Sequence, residues 1–241
     1  DDVVSLSTTG DIVVGLSDGQ ALRAATWGHW PHDRPLSRIS AGDFDGDGRK
    51  DLIAYDTNRK TWVLFVSREG RFVVSEVQQV VESVPIAMEV SDIDGDGKSD
   101  LLVLSGDRLV HVGISNGDTL AFTSVEVPGG SAPDVLTCGD FDGDGKTESL
   151  LAASGDGSVW RCRHSDGALT AERAGGTGGA IRFFTSGDFF ATGRDAVAVV
   201  TGTNGVLMGK LMGQQFTFES WLERIPGNVE SAPIRIDSFS K

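Results

Sequence analysis

Apolar residues in this chain come in short runs and not at helical spacing. The stretches "DLIAY" at 51–55, "DLLVL" at 100–104 and "ESLLAA" at 148–153 are nearly continuous apolar runs bounded by turn residues. That is the pattern of strands buried on both faces. Between such runs lie "STTG", "DTNR", "SREG", "SGDR", "SGDG" and "TGTN", all rich in the Gly, Ser, Asn and Asp of hairpin turns. In one stretch they predict strands over about 37–43, 51–56, 61–66 and 71–77. No amphipathic helical pattern competes. No run of 18 apolar residues exists, so no transmembrane segment is expected.

The pattern recurs. Asp43, Asp92 and Asp140 open units 49 and 48 residues apart, and a further 48 residues leads to Asp188 in "SGDFFATGRDAVAVV", a worn copy of the same unit. Four short strands in a repeat of this length describe a β-propeller blade. The expected fold is therefore all-β, a five-bladed β-propeller with four antiparallel strands per blade, forming one domain over 1–241. Its units lie near 43–91, 92–139, 140–187 and 188–236, and residues 1–42 are completed by 232–241. The opening "DDVVSLSTTGDIVVGLSDG" matches the later half of a unit, and the closing "APIRIDSFS" resembles the earlier half. The ring should close by pairing the segment around Ile234–Ile236 beside Val3–Leu6, which removes open edges.

The charge is concentrated where the units begin. Residues 43–51 read "DFDGDGRKD", 92–100 "DIDGDGKSD" and 140–148 "DFDGDGKTE". Carboxylates about 4 Å apart repel by roughly 4 kcal/mol per pair at an effective dielectric near 20, so a loop of four needs a cation or must stay open. Hard oxygen ligands at alternate positions suit Ca²⁺; Mg²⁺ keeps more of its waters, and Zn²⁺ prefers His or Cys. The expected ligands are Asp43, Asp45, Asp47 and Asp51 with the Arg49 carbonyl; Asp92, Asp94, Asp96 and Asp100 with that of Lys98; and Asp140, Asp142, Asp144 and Glu148 with that of Lys146. Gly46 and Gly48 let the backbone fold around the ion. Position 12 of the three loops is Ala54, Val103 and Leu151, which excludes EF-hands, whose last ligand is a bidentate Glu. The copy at 188 keeps Asp188, Gly193 and Asp195 but has Phe190 and Thr192 at the middle positions, and should hold no calcium. Three ions are expected.

These three loops, each followed by an apolar strand, resemble the FG-GAP/VCBS-type calcium-binding propeller repeats, also found in integrin α-subunit heads. The resemblance covers nearly the whole chain. It implies that each calcium loop joins the first and second strands of a blade, on the face away from the usual ligand-binding side. Two departures stand out: five blades in place of seven, and Glu148 in place of Asp, which should weaken one site.

Composition adds to this picture. Gly is 32 of 241 residues, nearly twice the usual ~7%, as a chain made mostly of turns requires. The formal charge is −14, and three bound Ca²⁺ would bring it to about −8, leaving no electrostatic footprint for nucleic acid or anionic lipid. Cys138 and Cys162 fall in the first and third strands of one blade, roughly 9–10 Å apart, beyond the reach of a disulfide. They read as buried free thiols and do not report the redox compartment. Calcium dependence favours an extracellular or periplasmic setting. A start at Asp1 without Met suggests a mature product or excised domain, either a monomer or part of a larger chain.

Candidate ligand chemistry is sparser. "WGHWPHDRP" at 27–35 offers Trp27, Trp30 and the stem of Arg34 for stacking on a sugar or gripping a peptide; the competing reading packs both Trp residues over a blade joint. His29 and His32 lack a third metal ligand. Trp62, Trp160 and Trp221 occupy strand positions expected to pack between blades. Glu89 and Asp134 are the only carboxylate pair suited to a funnel active site, and no nucleophile elbow occurs. The reading is a calcium-stabilised extracellular binding module for glycan or protein ligands. The alternatives are a carbohydrate-active enzyme using the central funnel, or a ligand-free scaffold domain.

Overall fold

The computed structural model describes residues 2–31, 33–80, 84–165 and 167–223. These residues form nineteen strands in five antiparallel sheets, with no helix among the described residues. The first sheet holds β1 (Val3–Leu6), β2 (Asp11–Ser17) and β3 (Leu22–His29) in that order. The second runs β4 (Leu36–Gly42), β5 (Asp51–Asp56), β6 (Thr61–Arg68) and β7 (Arg71–Val80). The third runs β8 (Pro85–Ser91), β9 (Asp100–Ser105), β10 (Leu109–Ser115) and β11 (Leu120–Glu126). The fourth runs β12 (Val135–Gly139), β13 (Glu148–Ala152), β14 (Ser158–Ser165) and β15 (Ala168–Gly176). The fifth runs β16 (Ile181–Gly187), β17 (Ala196–Thr201), β18 (Val206–Met212) and β19 (Gln215–Leu222). Each sheet is a meander, because each turn is too short for anything but antiparallel pairing. At "SREG", Glu69 (φ 46°) and Gly70 (φ 81°) both take positive φ, as a tight hairpin between right-twisted strands requires.

The sheets meet in chain order, first strand against first strand (β4 on β8, β8 on β12, β12 on β16) and last strand against last strand (β3 on β7, β11 on β15, β15 on β19). The core is correspondingly divided into four apolar clusters, one per joint. The β5 run explains why such strands read as continuous apolar stretches. Leu52 and Ala54 enter the cluster shared with the first sheet, whereas Ile53 and Tyr55 enter the one shared with the third. Each large apolar side chain buried this way contributes about 1.5–3 kcal/mol. Strands in the middle of the stack therefore have no solvent face.

The ends of the stack differ. The first sheet has three strands, as expected for a unit lacking its own first strand, and β1 is an exposed edge. Val3, Val4, Leu6, Leu16 and Leu22 are exposed there, and Phe189, Met212, Trp221 and Leu222 are exposed on the fifth sheet. The described sheets give the five-sheet, propeller-like arrangement, and no sheet closes on itself. The pairing expected of Ile234–Ile236 lies outside the described residues. Cys138 on β12 and Cys162 on β14 are separated by Ser149 of β13; both are buried and neither forms a disulfide. Burial pushes the Cys162 thiol up to about 12, which leaves it unreactive.

Candidate metal centres

Each acidic loop joins the first strand of a sheet to the second. Its opening aspartate is a template for the turn. Asp43 accepts Gly46 N–H at 2.8 Å and Asp47 N–H at 3.1 Å on Oδ1, and Gly48 N–H at 2.8 Å on Oδ2. Asp92 and Asp140 take the equivalent amides of residues 95–97 and 143–145. Gly46 (φ 76°) and Gly48 (φ 84°) supply the left-handed turns that aim those amides inward. The second residue of each loop, Phe44, Ile93 or Phe141, is buried in the joint with the next sheet and pins the loop to the core.

The closing carboxylate ties the loop to the third strand. Asp51, fully buried, accepts Phe44 N–H (2.9 Å) and Ser67 N–H (2.7 Å). Asp100 accepts Ile93 N–H and Ser115 N–H, both at 2.8 Å. Burial raises the Asp51 carboxyl and pushes Asp100 up to about 6, opposed by these backbone donors.

Among the described residues, three sets of carboxylate oxygens converge within 4.8 Å of one another: Asp43, Asp45 and Asp51; Asp92, Asp94 and Asp96; Asp140, Asp142 and Glu148. Asp47, Asp100 and Asp144 are not among them. An all-oxygen donor set fits a hard cation such as Ca²⁺. In the first two loops the neighbouring cations are surface side chains: Arg68 reaches Asp45, and at 3.3 Å Asp47; Arg49 pairs with Asp47, and Lys98 with Asp96. Arg49, Lys98 and Lys146 donate their backbone N–H to Asp47, Asp96 and Asp144.

The third loop is built differently. Glu148 accepts Phe141 N–H at 3.0 Å on Oε2, and its other oxygen meets Arg161, which also lies 2.6 Å from Asp142. The Arg161 side chain is only 2% exposed. Burial and the neighbouring Asp142 carboxyl push Glu148 up to about 7, with Arg161 pulling the other way. An internal guanidinium thus sits against two of the three converging carboxylates, where the first two loops meet only surface cations. Sequence reasoning did not single out Arg161, because one charge in an alternating strand reads as a solvent-facing position.

The loop at 188 corrects one expectation. Gly187 pairs with Ala196, as Gly42 pairs with Asp51 and Ser91 with Asp100, so Ala196 takes the closing position. Asp195 precedes it and is not the retained closing ligand. It straps sheets together: Asp140 N–H donates to Asp195 Oδ2 at 3.0 Å, and Asp195 N–H to the Asp140 carbonyl at 2.8 Å. Ser99 holds Asp43 the same way, with Asp43 N–H to Ser99 Oγ at 3.0 Å and Ser99 N–H to the Asp43 carbonyl at 2.7 Å. Gly42 and Gly139 permit the approach, since a Cβ at Gly42 would lie 2.7 Å from the Ser99 Cβ and one at Gly139 2.5 Å from Asp195 Oδ2.

The aromatic cluster at 27–35 is a joint. Trp30 is buried at 3% exposure, packs edge-on to Phe65 at 5.5 Å and donates Nε1–H to the Arg34 carbonyl at 2.6 Å. Arg34 covers the Trp30 ring at 4.2 Å and is held by Asp56 (2.6 Å) and Glu76 (2.8 Å). Trp30 therefore has no free face for a ligand, which corrects the stacking role expected of it, whereas Trp27 stays partly exposed. Trp27 packs on Phe72 at 5.4 Å. Trp62 and Trp160 pack between sheets as expected, whereas Trp221 is 56% exposed and meets Phe190. His29 lies 3.2 Å from Asp11; His32 lies outside the described residues. Glu89 and Asp134 do line one cleft, of 340 Å³, with Arg182, Phe183 and Phe184. Asp134 accepts both the N–H and the hydroxyl of Ser154, which ties up the carboxylate an acid–base pair would need.

Fold and loops together define a class: an all-β repeat protein of propeller type with acidic hairpins at the sheet joints. Residues 92–151, a segment running from the second acidic loop through the third, match the family of FG-GAP-like repeats. No curated protein matches the chain significantly.

Proposed function

We propose that this chain is a calcium-stabilised binding module for an extracellular setting. The observation that carries the proposal is the convergence of carboxylate oxygens within 4.8 Å at the start of the second strand in successive sheets. Asp43, Asp45, Asp51, Asp92, Asp94 and Asp96 would supply carboxylate oxygens, with the carbonyls of Arg49 and Lys98 and water completing the shell. Each ion would clamp the first hairpin of its sheet beside a joint with the next. The ring is proposed to close with residues 232–237 as the missing first strand beside β1. A 280 Å³ cleft lined by Val4, Leu6, Ile12, Leu36 and Ile39 lies along that edge, with apolar walls suited to a strand. Deleting 231–241 should expose this edge and cause aggregation; an unaggregated deletion with unchanged melting would contradict closure.

The ligand is proposed to be a glycan or protein that meets the cleft of Glu89, Asp134, Arg182 and Phe183, where first strands of three sheets converge. Aromatic and charged groups share that cleft, and the acidic loops lie at the ends of the same strands. Glycan-array and protein-capture binding tests the reading. Arg182→Ala should abolish binding, and Asp45→Ala in saturating calcium should spare it; the reverse would place the site at the loops. Release of product from a polysaccharide panel would favour an enzyme instead.

A further inference from the structure

The geometry points to Arg161 as a built-in cation that replaces the metal in the third acidic loop, so the chain holds two ions and closes its third loop by itself. This rests on the calcium reading of the first two loops. Arg161 lies on β14 opposite Leu150, two residues past the closing Glu148. The same ladder position is Leu64 in the second sheet, opposite Ile53, and Val112 in the third, opposite Leu102. In the fifth sheet it is Met208, opposite Ala198. All three counterparts are buried apolar residues, and only the fourth sheet places a charge there.

That charge cannot leave. The Arg161 side chain is 2% exposed, against 37% for Arg68 and 28% for Lys98, which approach the first two loops from the surface and can swing into solvent when an ion arrives. Arg161 rises from between two sheets, and among the described residues Asp142 and Glu148 are the charged groups with which it is paired. A buried guanidinium without a counter-charge is strongly unfavourable, so Asp142 and Glu148 are committed to it. Glu148 fits the same account. Its extra methylene lets one oxygen keep the loop's Phe141 amide while the other meets Arg161; the shorter Asp51 and Asp100 use both oxygens on backbone amides. Glu148 and Arg161 thus act as a matched pair of substitutions.

The test is ion stoichiometry of the full chain by equilibrium dialysis against calcium and elemental analysis. Wild type should hold about two ions, falling to about one in Asp45→Asn or Asp94→Asn and remaining at about two in Asp142→Asn. Arg161→Leu, which restores the residue type of the second sheet, should gain an ion. Three ions in wild type with loss of one in Asp142→Asn would overturn the assignment, even if Arg161→Leu fails to fold. A folded Arg161→Leu that stays at two would overturn Arg161 as the cause. No ion in wild type would overturn the calcium reading itself, and this assignment with it.

Discussion

The loop at 92–100 and its counterpart at 188–196 follow the same path with different chemistry. In both, the opening aspartate accepts the amides of the turn: Asp92 those of residues 95–97, Asp188 those of Thr192 (2.9 Å) and Gly193 (2.8 Å). In both, the residue before the second strand straps the loop to the preceding sheet, through Ser99 in one and Asp195 in the other. Yet the second loop carries Asp94, Asp96 and Asp100 where the fifth-sheet loop carries Phe190, Thr192 and Ala196. The shape of the turn therefore belongs to the opening aspartate, the glycines and the strap. The remaining carboxylates are not needed for it, and their convergence is what the proposed cation accounts for. Phe190 instead packs on Trp221 at 5.2 Å beneath Lys210, a surface joint in place of an ionic one.

The largest expected effect is at the closing position. Asp100→Ala strands two buried amides, those of Ile93 and Ser115, and should destabilise the chain by about 2–5 kcal/mol even in chelator. In the fifth sheet Asp188→Ala frees exposed amides only, and about 1 kcal/mol is expected, as for loss of a capping side chain. Chemical denaturation in chelator measures both; equal losses would erase the distinction between buried tie and surface template.

A graft sharpens the comparison next. Phe190→Asp, Ala191→Gly, Thr192→Asp and Ala196→Asp together rebuild the motif at 188–196. The rebuilt loop should bind one additional ion and gain up to about 2.7 kcal/mol at a hundredfold excess of calcium over its Kd, less the lost aromatic contact. Dialysis stoichiometry and melting with and without calcium check it. No gain would mean that the charges alone do not make the site.

Acidity gives a smaller effect. An unfolded aspartate loses its proton near 3.9, and folded Asp100 near 6, so in chelator the native state binds more protons between those values. The stability contributed by protonated Asp100 is full below the lower value and lost as pH rises through about 6. Chelated wild type should therefore lose more stability between pH 5 and 7 than chelated Asp100→Asn, by about 1–2 kcal/mol. Parallel pH profiles would show that Asp100 does not titrate there.

Much of this was legible in the sequence because the repeat punctuates itself. Strands expected at 51–56 and 61–66 appear as Asp51–Asp56 and Thr61–Arg68, since apolar runs and turn residues act locally. The convergence of acidic residues was equally local. What escaped depends on partners distant in the chain. Asp195 lies one place before the closing position, as the Gly187–Ala196 pairing shows, and its role is set by Asp140 on the preceding sheet. Trp30 has the same sequence environment whether exposed or buried; Phe65 and Asp56, on the next sheet, decide. Arg161 looks like any polar strand residue until the ladder places it opposite Leu150.

On the proposed reading, calcium draws the carboxylates of the first two loops together and thereby holds the sheets. Scanning calorimetry of the full chain at neutral pH, in chelator and then in excess calcium, tests it most directly. Two sites saturated a hundredfold over their Kd would together add up to about 5 kcal/mol. Chelation should lower the melting temperature by several degrees or more, calcium should restore it, and equimolar magnesium should not. A melting temperature indifferent to chelator would contradict the account.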